Sequence, residues 1–73
     1  MIVFKKTGGT YQAEVGSMLI VIFGGYQTWQ YLVSVKEHPE IIANVVGTWP
    51  DKESVLEHIK EKHEMVHGAK FDE

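Results

Sequence analysis

The sequence predicts an α+β fold: a small antiparallel β-meander of three to five strands with one C-terminal helix packed on one face. Three observations predict it. Apolar and polar residues alternate with a period of two over 11–15 and again over 29–35, as on a half-buried strand. Between them Met18–Phe23 is apolar at every position, the pattern of a central strand covered on both sides. After Asp51 the apolar residues return every three to four positions instead, the period of an amphipathic helix.

The elements follow in order. Residues 2–4 are apolar and Thr7-Gly8-Gly9-Thr10 is a turn signal, because glycine reaches positive φ without steric cost; a hairpin opens the chain. Tyr11, Ala13 and Val15 then alternate with Gln12, Glu14 and Gly16 before the apolar run. Gly24-Gly25-Tyr26-Gln27 reads as the next reversal, after which Trp29, Tyr31, Val33 and Val35 form a face directed at the core. His38-Pro39-Glu40 is expected as a loop, since proline lacks a ladder donor and restricts its predecessor. A strand resumes over 41–46. Trp49-Pro50-Asp51 ends the sheet, with Asp51 as N-cap of a helix over about 52–67 that Gly68 stops. On that helix Val55, Leu56, Ile59, His63 and Val66 share one arc. The strands thus fall within 2–48, and the tail over 68–73 is expected to fray.

Seventy-three residues make a single small domain, near the size at which one core barely outweighs chain entropy. Without cysteine the chain has no disulfide, thiolate metal site or thiol nucleophile, which fits a reducing compartment and predicts a cytoplasmic protein. Seven basic and ten acidic residues give a formal charge of −3, the wrong sign for a phosphate-binding surface. No charge occurs between Glu14 and Lys36, yet Gly24, Gly25, Gln27, Thr28 and Gln30 interrupt that stretch. It is therefore no membrane span, and no secretory signal is expected because the apolar run starts late and no small-residue cleavage site follows.

Two constellations carry chemistry. His63-Glu64-Met65-Val66-His67 matches H-E-x-x-H, which on a helix places two zinc ligands on one face beside a general base. A catalytic site needs a third ligand, and the remaining candidates are His38, His58 and Glu73, of which His58 projects well away from His63 on the helix and Glu73 is the last residue. With four His and eight Glu in the chain, chance gives the pattern about once in fifty such sequences. His63 and His67 therefore stand only as the last candidates for a metal, with no cofactor and no catalytic residue expected. Tyr11, Tyr26, Trp29, Tyr31 and Trp49 could serve as base-stacking platforms, but their spacing favours core and rim.

The segment Gly47-Thr-Trp-Pro-Asp-Lys-Glu-Ser-Val-Leu-Glu-His-Ile-Lys, following a meander, is similar to the N-terminal arm-binding domains of tyrosine-type integrases. That resemblance, over about half the chain, implies a sheet set into the DNA major groove with a helix behind it. Such sheets carry Arg and Lys for phosphate neutralisation; here the strands offer Lys5, Lys6 and Lys36, and the chain has no arginine.

The apolar run decides the leading expectation. If Leu19, Val21 and Phe23 face the helix, Met18, Ile20 and Ile22 lie on a face one helix cannot cover. The first strand, a second copy or a foreign protein must then cover them, unless the sheet curls on itself. Met18, Ile20, Ile22 and Tyr26 are accordingly the protein-interface candidates. The protein is expected to be a non-enzymatic protein-binding module, such as a small accessory or inhibitor protein of mobile-element type, whose partner is another protein or a second copy. The alternatives are a nucleic-acid-binding domain and a zinc-dependent hydrolase. On this reading Ile20→Lys abolishes association and leaves the helix intact.

Overall fold

Residues 2–44 and 47–72, described by a computed structural model, build a six-stranded, mostly antiparallel sheet with one α-helix on one side. β1 (Val3–Thr7), β2 (Thr10–Val15), β3 (Met18–Phe23), β4 (Gln30–Val35) and β5 (His38–Asn44) form a continuous meander. Helix α1 (Lys52–Lys62) and a 3-10 turn (Glu64–Val66) lead to β6 (Lys70–Asp72). The spatial order is β5-β4-β3-β2-β1-β6.

Short turns set the register. Thr7 pairs with Thr10 around Gly8-Gly9, and Val15 with Met18 around Gly16-Ser17. Gly8 and Gly16 both adopt φ near +61°, the first-position conformation of the primed turns that match strand twist. The third reversal is built on Gly24 at φ +134°, where a Cβ would lie 2.5 Å from the Thr28 carbonyl oxygen. The amide of Thr28 then donates to the Gly25 carbonyl at 3.0 Å and closes a turn whose tip is Tyr26 and Gln27.

His38-Pro39-Glu40 is not a loop, because β5 begins at His38. Val35 pairs with His38 while Ser34 pairs with Ile42, so residues 39–41 are absorbed in an irregular stretch. An edge strand tolerates proline there, since one side of its ladder is unused. Of the strand expected over 41–46, positions 41–44 belong to β5, and Val45 and Val46 lie outside the described residues. The chain re-enters the sheet at Trp49, which exchanges two backbone hydrogen bonds with Trp29, at 2.9 and 3.0 Å.

The helix starts as expected and ends sooner. Asp51 is the N-cap: the Ser54 amide donates to its Oδ1 at 2.8 Å. The helix stops at Lys62, not near His67, and His63 is extended at φ −129°, ψ 106°. The residues expected to fray supply the reason, since β6 docks parallel to β1 with Phe4 opposite Phe71. Phe71 packs 5.9 Å from the Phe4 ring and 5.0 Å from Tyr11. A helix continued to His67 would carry Ala69 and Phe71 away from these partners, so tertiary pairing overrides local helix propensity. β6 is also why the sheet has six strands and not three to five.

This topology leaves one face of the sheet open. β5 and β6 run in the same direction from opposite edges, so their connection must cross the whole sheet, and α1 makes that crossing. It buries Val55, Leu56 and Ile59 against Phe4, Tyr11, Ala13, Val15, Ile20, Ile22 and Tyr31, and Val66 and Ala69 close the end of the core. Among the described residues there is one crossover, and it covers one face.

Candidate functional site

The registers decide which residues lie on the open face. Tyr11 pairs with Ile22 and Ala13 with Ile20, and Ile22 and Ile20 pair in turn with Tyr31 and Val33. These partners share the face under the helix. Ile20 and Ile22 are 0 % exposed, and Met18 is half-buried against the same core. The parity expected for β3 is thus reversed: Met18, Ile20 and Ile22 belong to the core face, while Leu19, Val21 and Phe23 point to the open side. The Gly16-Ser17 turn carries the missing signal. A two-residue connection pairs odd positions of β2 with even positions of β3, whereas reading Gly16 as one more alternating strand residue hides it.

The open face has an apolar centre and a polar margin. Leu19, Val21 and Leu32 lie at its middle and are half-buried, with Val3 on β1 and Phe23 at the end of β3. Gln12 faces Val21, and Glu14 faces Leu19. Glu14 also reaches Lys36 at 3.3 Å, an exposed pair that contributes little to stability. Between β1 and β3 the surface dips into a cavity of about 310 Å³ lined by Val3, Lys5, Thr7, Gln12, Ala13, Glu14 and Leu19. Completing the burial of one half-covered Leu or Val is worth about 1 kcal/mol. Tyr26, the remaining candidate from the sequence, stands at the β3–β4 tip, 88 % exposed.

The covered side holds most of the aromatics. Tyr11 and Tyr31 are buried, and Trp29 and Trp49 pack against the core, which matches the core-and-rim reading of these residues. Lys52 donates from Nζ to the Tyr11 hydroxyl at 2.9 Å and lies 4.5 Å from the centre of that ring. His58 is set 4.8 Å from Trp49 and 5.9 Å from Tyr31, ring centre to ring centre. Burial pushes the Tyr31 hydroxyl above the usual tyrosine range.

His63 and His67 lack the shared helical face that zinc binding through H-E-x-x-H requires. His63 sits on extended backbone between α1 and the 3-10 turn, and His67 follows that turn. Among the described residues, no three His, Asp or Glu side chains converge as a metal site would require. No helix among them is long and apolar enough to cross a membrane. Comparison with protein-family models, curated proteins and solved structures finds no match to this chain.

Proposed function

We propose that this protein is a non-enzymatic binding module that receives another polypeptide on the open face of its sheet. The observation that carries this reading is the row of Leu19, Val21 and Leu32 on the side opposite α1, half-buried with no element of the described chain packed over it. Apolar side chains in that position favour further burial, and a polar margin of Gln12, Glu14 and Lys5 gives such a surface the layout of an interface, with a dry centre and a solvated rim. The dip beside Leu19 offers a place for a partner's side chain.

The test is a photo-cross-linking amino acid placed at Val21 in the protein expressed in its own cell, with the same group at the exposed Glu61 as control. An adduct with a polypeptide at position 21 and none at 61 is expected, and Leu32→Lys should abolish it. Equal cross-linking at the two positions, or none at 21, refutes the reading.

A further inference from the structure

We draw no further inference here: the strongest candidate, the groove beside α1 where Asp51, Glu53, Glu57 and Glu61 surround Trp49 and His58, is a cluster of acidic side chains at which no second feature points to a ligand, since the unpartnered Nε2 of His58 is buried beyond a ligand's reach.

Discussion

Ile20 and Ile22 are sealed under the helix, while Leu19, Val21 and Phe23, on the same six-residue strand, are only half-buried on the other side. The two sets are of one chemical kind, so hydrophobicity did not sort them. The neighbouring strand did. β2 carries Tyr11, Ala13 and Val15 on one face and Gln12 and Glu14 on the other, and the Gly16-Ser17 turn transmits that polarity to β3 by pairing Tyr11 with Ile22 and Ala13 with Ile20. A one-residue slip would exchange the faces and set Gln12 and Glu14 against the wrong partners. The comparison teaches that in a strand apolar throughout, side is assigned by register.

The most direct way to break this comparison is to truncate one residue from each face. Ile20→Ala should cost about 2–5 kcal/mol, the range for emptying a close-packed site, whereas Val21→Ala should cost under about 1.5 kcal/mol. The difference is readable as the shift in urea midpoint at constant slope. Ile20→Lys should unfold the domain outright, because a chain of this length holds only about 4–11 kcal/mol in all and the ammonium would have no partner at a fully buried position. Its effect is thus a loss of fold, not the selective loss of association that the sequence suggested. Equal losses for Ile20→Ala and Val21→Ala would mean that the two faces are covered alike.

Much of the architecture was legible in the sequence because local signals agree. Gly8-Gly9, the alternation in β2, the aromatic face of β4 and the Asp51 cap each state one local preference, and each is realised. Three features were not legible: two depend on residues distant in sequence, and the third on a local turn that the hydropathy pattern conceals. Pro39 belongs to a strand because β5 is an edge. α1 ends at Lys62 because Phe71 has Phe4 and Tyr11 to meet. The face presented by β3 depends on a pairing that a two-residue turn fixes and that hydropathy alone does not reveal. Of the interface candidates, Ile20 and Ile22 therefore lie in the core, and the side chains that β3 and β4 turn to the open face are Leu19, Val21, Phe23 and Leu32.

A finer test concerns how the parity passes from β3 to β4. Gly24 and Gly25 are adjacent, yet a Cβ on Gly24 would come within 2.8 Å of the Trp29 Cα, while nothing lies within 4 Å of one on Gly25. Gly24→Ala should therefore cost at least about 1–3 kcal/mol from its backbone angle alone. Gly25→Ala should be neutral or stabilising by up to about 1 kcal/mol, since alanine restricts the unfolded chain. Thermal unfolding of the pair separates the two cases. Similar melting temperatures would show that the turn rearranges freely, and that register between β3 and β4 is held by side-chain packing alone.

The smallest effect comes from the helix that makes the faces unequal. The carboxylate of Asp51 accepts hydrogen bonds from the Ser54 backbone amide and, secondly, from its side chain, which hold its pKa below the usual aspartate value. A folded-state value lower than the unfolded one stabilises the protein at pH above the unfolded value, and the benefit is lost as pH falls through the folded value. The stability difference between the native protein and Asp51→Ala should therefore be constant above about pH 5 and shrink as the pH is lowered through the aspartate range. Asp51→Asn keeps an oxygen that can accept the Ser54 amide without a titrating charge, so its cap should show no such pH dependence. Other carboxylates titrate in the same window, but they are common to all three chains and cancel in the comparison of urea midpoints. A difference that stayed flat down to about pH 2 would mean that the charge at the cap contributes nothing. The cap would then act through its hydrogen bond to the Ser54 amide alone, as in Asp51→Asn, and the packing of Val55, Leu56 and Ile59 over the core face would owe nothing to charge at the helix end.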